Sequence, residues 1–473
     1  MGAPRPGTPR GPAVCAAGAR PHPGPSLPVA VHPHPRFPTA LLAATLAACA
    51  ARAPAPSYDR QTGLQTFDAA WRIVYETHFD TTFNGVNWLA LREELRPRAE
   101  RAKNEEELRR LVLNMVLRLG QSHFTLIPRE LADTLDPSQG AVVRGSVGMD
   151  VRLLGEDLVV TRVDPGGSAE QAGIRPGWTL VAAGTDSVPK VLAWLRHRPS
   201  RYSLEARAWS VAADRLSGAL DTTSAFTLRD GEGRVVTVRL TNLPDNSEPV
   251  KFGNLPTFFA RFDATELRAG DGRRVGMIRF NAWMTPLMRQ LDAAVERYRA
   301  LDGMVIDLRG NTGGVGAMLA GVAGHFIDRR DTLGTMRYRG GSMVFVANPR
   351  RSTPEGRAVR PFAGPVAVLV DELSASASEV FAGGMQSLGR VRVFGRTSMG
   401  AVLAARFDRL PNGDVLYHSF ADFVTHDGTR LEGRGVIPDE PVALTRADLL
   451  AGRDAVLDAA LRWIAAQPGG EHP

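Results

Sequence analysis

Residues 366–386 read VAVLVDELSASASEVFAGGMQ, and the rest of the chain is organised around this stretch. Val366-Ala367-Val368-Leu369-Val370 is a short, continuous apolar run, the pattern of a strand buried on both faces of a parallel sheet. The alternating segment Ser374-Ala375-Ser376-Ala377-Ser378 follows at once, and Glu379 to Met385 carries the small residues of a closely packed helix. A strand, a tight turn and a helix start put a serine beside backbone N–H groups without intrahelical partners, at the positive end of the helix dipole. That position suits a nucleophilic hydroxyl next to a developing oxyanion. The same residues also fit a capping box, with Ser376 as N-cap and Glu379 three residues on, which needs no chemistry.

Upstream, the pattern is strand, helix, strand. Arg274 to Phe280 is an apolar strand, a helix runs from about Pro286 to Ala300, and Gly303 to Leu308 is a second strand. It leads into Arg309-Gly310-Asn311-Thr312-Gly313-Gly314, a Gly-rich turn of the kind that binds phosphate or forms an oxyanion hole. No Gly-Lys-Ser/Thr and no GxGxxG occurs at this turn, which disfavours nucleotide binding. Asp307 and Arg309 read as structural pins for it.

Residues 58–118 have helical spacing. Phe67 to Tyr75 belongs to one helix, Trp88, Leu89 and Leu91 begin a second, and Leu108, Leu111, Val112, Met115, Val116 and Leu119 form the apolar face of a third. Gly120 stops that helix as a C′ residue. Ser122-His123 therefore lies just past a helix end. On position alone, a histidine there is a solvated or capping residue.

From Gly145 to about Asn242 the chain changes to short strands and turns. The string GSAEQAGIRPGWTLVAAGTDSV, residues 167–188, resembles a PDZ domain of the bacterial, permuted type. The resemblance implies that Val147-Gly148-Met149 presents backbone N–H groups to a peptide C-terminus, the peptide adding as a strand to a sheet edge. The segment 190–225 is longer than a compact PDZ domain needs.

Three strings now stand in order, DLRGNTGG at 307–314, ELSASASE at 372–379 and LEGRGVIPDEPV at 431–442. Together with the preceding PDZ-like segment they resemble the C-terminal processing (tail-specific) serine peptidases, over roughly residues 60–465. The resemblance implies that Ser376 is the nucleophile, with oxyanion donors from the N–H of Ala377 and of Gly313 or Gly314. One departure stands out. The Ser-Lys branch of the family carries its lysine in a string that here reads Gly395-Arg396-Thr397-Ser398-Met399-Gly400-Ala401-Val402, with Ala401 in the lysine position. The branch resembling the tricorn protease core instead uses a histidine preceded by a serine, with a late glutamate. Ser122-His123 and Glu432 match those positions. The resemblance thus implies Ser376 as nucleophile, His123 as base, and Glu432 acting through Ser122 to orient the imidazole. His418 and His325 are rival bases outside the matching strings.

Composition sets the remaining limits. At 473 residues, two or three domains are expected. Four of the net seven positive charges, Arg5, Arg10, Arg20 and Arg36, lie in the first 48 residues. No Lys/Arg run with interleaved aromatics appears, so nucleic acid is not indicated as a partner. Phe37 to Ala48 is a short apolar stretch with the length of a signal-peptide core, and Leu46-Ala47-Ala48-Cys49 resembles a bacterial lipobox, which implies lipidation of Cys49. The Pro-, Gly- and Arg-rich lead before it suggests a translation start near Val29 or Val31. Cys15 and Cys49 are the only cysteines, so the folded part is expected to lack disulfides and cysteine metal sites; no metal and no cofactor is expected.

The expected architecture is multidomain α/β. It comprises an N-terminal extension and lipoprotein-type signal peptide (1–49), a tether (50–58), a helical domain (59–128), a PDZ-like β-rich domain (145–243) and an α/β, ββα-spiral-like peptidase core (255–466). The expected protein is a serine endopeptidase held by a lipid anchor in the cell envelope or periplasm, acting on polypeptides recruited by unstructured, apolar C-termini. The alternative, supported by Ala401, is a catalytically inactive scaffold lipoprotein. A carboxylesterase is disfavoured by the missing Gly-x-Ser-x-Gly elbow.

Overall fold

The computed structural model describes residues 58–134, 145–245, 247–250 and 258–468. The signal segment, Cys49 and the tether up to residue 57 lie outside the described residues. Among those described, no helix is long and apolar enough to cross a membrane.

Three helices open the described chain, α1 (Arg60–Thr77), α2 (Trp88–Glu100) and α3 (Glu105–Leu117). Each begins at a side-chain cap, Asp59, Asn87 and Asn104, which accepts N–H groups that the first helical turn leaves unpaired. Their apolar faces bury Phe67, Val74, Leu95, Leu108, Val112 and Met115 against one another. The chain leaves α3 through Gly120, at φ +64°, and enters a short strand β1 (Thr125–Ile127). Ser122 and His123 lie on this connection.

Residues 145–244 are β-rich. A five-stranded antiparallel path runs in the order β2 (Met149–Leu154), β3 (Asp157–Val163), β4 (Thr179–Ala183), β5 (Thr223–Arg229), β6 (Val235–Thr241). β2 is an edge strand. The segment 190–225, which the sequence left without a role, holds most of α4 (Val188–Arg196) and all of α5 (Leu204–Arg215), joined by a loop that carries Arg201. Ala208, Ala212 and Leu216 seat α5 on the same apolar core as β2.

The central sheet has six strands in the order β7 (Phe262–Arg268), β8 (Arg274–Phe280), β9 (Gly303–Asp307), β12 (Val366–Val370), β13 (Arg392–Gly395) and β16 (Glu440–Pro441). Here β10 to β15 number the strands between β9 and β16 in chain order. Only the β7–β8 pair is antiparallel. All five residues of β9 and of β12 are buried, as their unbroken apolar pattern requires. Because β9 and β12 are neighbours and parallel, with Asp307 opposite Leu369, their C-terminal turns emerge side by side. Open parallel sheets place ligands in such crevices.

A second sheet joins the helices to this core. Its path is β1, β15 (Val415–Thr425), β10 (Asp331–Tyr338) and β11 (Gly341–Ala347), with β14 (Ala404–Arg409) also paired to β15. The pairing of Thr125 with Tyr417 carries the chain after His123 into the neighbourhood of the central turns.

Candidate active site

The turn after β12 sorts its three serines by their partners. Ser374 Oγ donates to Leu308 O at 2.8 Å and Ser378 Oγ donates to Asn311 O at 3.0 Å. Both side chains are wholly buried and tie the turn to the Gly-rich loop after β9. Ser376 alone of the three faces a cavity. Its backbone is held at φ 54°, ψ −118°, a conformation that favours glycine. The Ser376 N–H is shared between Ala401 O at 2.8 Å and Glu379 Oε2 at 3.1 Å. The glutamate half of the capping box is therefore made, and it fixes the strained turn at the start of helix α6 (Ala377–Ser387).

Glu379 is a buried hub. Besides Ser376 it accepts Ser398 Oγ at 2.5 Å, Gly400 N at 2.7 Å and Ala401 N at 2.8 Å. Burial pushes its carboxyl up to about 7, against the opposing pull of these donors.

The Gly-rich turn approaches Ser376 as closely as glycine allows. A Cβ on Gly313 would stand 2.6 Å from Ser376 Cβ and 3.1 Å from Ala377 N, and the residue has φ +100°. The Gly313 N–H donates to Asn311 Oδ1 at 3.0 Å, so it is engaged inside the turn. Gly314 lines the cavity, and the residues on either side of it hold Trp283: Gly313 O accepts the Trp283 N–H at 2.9 Å and the Val315 N–H donates to Trp283 O at 2.7 Å. Of the two glycines the sequence left open, Gly313 is the one packed against Ala377, the first residue of the helix, with its N–H engaged, while Gly314 lies against the Trp283 backbone.

Ser122, His123 and Glu432 come together from positions 310 residues apart. Ser122 Oγ lies 2.7 Å from His123 Nδ1 and donates to Glu432 Oε2 at 2.9 Å, while Ser122 N–H donates to Glu432 Oε1 at 2.9 Å. Ser122 is buried, its carbonyl accepts Ser419 Oγ at 2.8 Å, and His123 adopts φ 62°. A hydroxyl has one proton. If it goes to the carboxylate, which only accepts, the Ser122 oxygen must accept from Nδ1–H. The other ring nitrogen, Nε2, is then left with its lone pair. Burial first, and the nearby Arg201 guanidinium second, lower the His123 pKa to about 4, so the ring is neutral at ordinary pH.

His123 and Ser376 line one cavity of about 1360 Å³. Ala401 and Val402 lie on its wall, with Val315, Leu319 and Val380 adding apolar surface. Neither rival histidine reaches it. His418 Nε2 is 2.7 Å from Asp408, and His325 Nε2 is 2.8 Å from Asp292, both with their side chains buried elsewhere. Asp307 pairs with Arg309, which also binds Asp454, a structural pin as expected.

Sequence reasoning missed Arg201. Its Nη2 donates to Glu432 Oε1 and to Gly400 O, both at 2.9 Å. Glu432 Oε2 also accepts Val402 N at 3.1 Å, so four donors converge on this carboxylate. A loop arginine with no periodic pattern around it gives no signal in the sequence. Helix α5 follows directly, and its Ala206, Trp209 and Ser210 line the Ser376 cavity.

The PDZ-type residues are less open than the sequence implied. Val147 N–H donates to Leu216 O at 3.0 Å and Gly148 N–H to Ser146 Oγ at 3.0 Å. Val147 is therefore corrected as a carboxylate donor, because its N–H is spent on the backbone that closes α5. The Gly148 bond to a hydroxyl is exchangeable, and Met149 opens the edge strand β2.

Comparison with known proteins finds peptidases in sequence and in fold. Residues 274–442 match peptidase family S41, and residues 59–116 match the tricorn protease C1 domain. The chain is 28% identical over 387 residues to the chloroplastic C-terminal processing peptidase of Tetradesmus obliquus, covering 79% of this chain and 76% of that protein. It is 27% identical over 379 residues to the carboxyl-terminal-processing protease of Picosynechococcus sp., covering 79% and 81%. The solved photosystem II D1 C-terminal processing protease superposes with a TM-score of 0.55 at 22% identity, covering 87% of this chain and 99% of that one. Mature CPAF gives 0.55 at 14% identity, covering 86% and 96%. These structural likenesses speak to the fold. Taken with the sequence relatives, they show a chain that carries a peptidase family S41 domain over residues 274–442 and is similar to carboxyl-terminal processing proteases.

Proposed function

We propose that the protein is a serine endopeptidase of the Ser-His type, in which Ser376 attacks a peptide carbonyl and His123 is its base. The observation that carries this reading is the Glu432–Ser122–His123 relay, which leaves Nε2 of His123 free to accept a proton in the cavity that Ser376 also lines. As Ser376 Oγ bonds to the carbonyl carbon, its proton passes to Nε2. The oxyanion is met by the N–H groups of Ala377 and Gly314. The tetrahedral adduct then collapses, the C–N bond breaks, and the amine leaves with the proton from His123. Water repeats the sequence on the acyl-enzyme, returning Ser376 and a new carboxyl terminus. No step needs a cofactor.

Ala401 occupies the position of a lysine base without disabling this route, since the relay supplies a base of its own. The match of residues 59–116 to the tricorn protease C1 domain supports the Ser-His branch. The β-rich module of residues 145–243 is read as a PDZ-like receiver of substrate tails at Gly148 and Met149, flanked by a helical module (59–128) and the peptidase core (255–466). Cys49 is read as a lipidation site that tethers the enzyme to the envelope membrane.

Labelling with a fluorescent serine-hydrolase phosphonate tests the chemistry. Wild type is expected to label, and Ser376→Ala and His123→Ala to lose labelling while keeping their folded circular-dichroism spectra. Undiminished labelling of His123→Ala moves the base elsewhere, and undiminished labelling of Ser376→Ala removes it as nucleophile.

A further inference from the structure

Away from the Ser376 cavity, the face between the β-rich module and the peptidase core holds a strongly basic hollow. This cavity, about 960 Å³, is lined by seven arginines against three acidic side chains. Two of the arginines share acids that are already engaged. Arg162 Nε stands 3.2 Å from Asp164, whose other oxygen binds Arg261 at 2.9 Å, and that buried Nε makes no hydrogen bond. Arg279 Nε is 3.7 Å from Asp307 Oδ2, which Arg309 already holds at 2.8 Å. Arg175, at the mouth, is exposed. Trp178, Leu449 and Leu450 add apolar wall.

The hollow continues into a second cavity of about 300 Å³ between edge strand β2 and helix α5, where Met149 and Asp150 face Trp209 and Leu216. Arg152, Arg162, Arg279 and Arg309 line both. A peptide added to the β2 edge, antiparallel to it and with its carboxylate at Gly148, runs its preceding residues past Asp150 and Arg152. At about 3.3 Å per residue, side chains about four residues before the terminus come level with the arginines.

We infer that these joined cavities bind polypeptide tails bearing acidic side chains a few residues before their C-terminus, an inference that rests on the tail-receiving role proposed for residues 145–243. Planar guanidiniums pair with carboxylates in forked geometry, and a walled basic cleft concentrates acidic ligands. The arginines are spread along two connected hollows rather than converging on one point, which fits a chain of separate carboxylates better than a compact anion.

The test is fluorescence anisotropy with the full Ser376→Ala chain, which cannot consume the probe. Two labelled peptides differ only in having Glu and Asp, or Gln and Asn, at the fourth to sixth positions from a free carboxyl terminus. The acidic peptide is expected to bind about tenfold or more tightly, the advantage shrinking as salt screens the charges. Combining Ser376→Ala with Arg175→Gln and Arg279→Gln should abolish that advantage. Equal binding of the two peptides overturns the inference without needing the arginine variants to fold. Persistence of the preference in the folded arginine variant also overturns it, as does displacement of the acidic peptide by inorganic phosphate at matched charge, the mark of a small-anion site. None of these outcomes touches phosphonate labelling of the wild type, which separately decides the peptidase reading.

Discussion

Arg201 and Ser122 donate to the same oxygen of Glu432, Oε1, each at 2.9 Å. The arginine thus completes the carboxylate that accepts from Ser122, and its charge adds to burial, the larger cause, in favouring the neutral imidazole. Arg201→Met is expected to lower kcat about tenfold or more, as loss of a buried hydrogen bond to a charged group implies. Removing the cation also raises the His123 pKa from about 4 toward its ordinary value, so the acid limb of the kcat/KM profile should move up. Arg201→Lys should keep much of the limb's position. An unmoved limb in Arg201→Met means that the arginine only braces the loop.

Glu432→Gln places an amide where four donors meet. Its NH₂ must face one of the sets that the carboxylate accepts, and Ser122 loses the partner that fixes its proton. The expected loss in kcat is about 10²–10⁴-fold, the range for a mis-set tautomer in a serine triad. Ser122→Ala should lose activity in the same direction. Steady-state hydrolysis of a fluorogenic peptide measures both, and wild-type kcat in Ser122→Ala would exclude a relay through this hydroxyl.

Ser376 sits at φ 54°, ψ −118°, where a Cβ is strained. Ser376→Ala keeps the strain and Ser376→Gly releases it. Both variants should be inactive, with the glycine variant more stable by about 1 kcal/mol, since relief of a strained backbone outweighs the entropy glycine brings. Urea unfolding of the pair gives the difference. Equal midpoints would mean the turn is relaxed in solution.

Glu379 and His123 pull the stability curve in opposite directions. The folded pKa of Glu379 is raised to about 7 from 4.5, so the fold holds its proton more tightly than the unfolded chain does. Its contribution is full below about pH 4.5 and is lost as pH rises through 7. The folded pKa of His123 is lowered to about 4 from 6.5, so its contribution is present above 6.5 and lost as pH falls toward 4. Glu379→Gln should therefore steepen the gain in stability between pH 4.5 and 6.5, and His123→Ala should reverse it, each by about 1–3 kcal/mol. Denaturant midpoints across that range are the measurement.

Local pattern was enough for the elements that surround the site. The apolar runs at 274–280, 303–308 and 366–370 appear as adjacent strands, because burial on both faces leaves no other use for such runs. Ser122, His123 and Glu432 were legible only through motif resemblance, since their meeting depends on the pairing of β1 with β15. Arg201 and the basic hollow were not legible at all. Arginines scattered from 152 to 453 carry no periodicity, and only the docking of residues 145–243 on the core collects them. The engaged N–H of Val147 was hidden for the same reason, as its acceptor, Leu216, lies at the far end of α5.

The distance in sequence between Ser122 and Glu432 also has a bearing on biosynthesis. A ribosome must complete more than four hundred residues before the imidazole can meet its carboxylate, and the loop carrying Arg201 must have docked as well. An interrupted chain that contains both Ser122-His123 and Ser376 still lacks the late glutamate that Ser122 donates to. Under the proposed mechanism, spreading the relay over the length of the polypeptide makes cutting power the last property the chain acquires, once folding is finished, so that an unfinished copy poses no hazard to the cell that is making it.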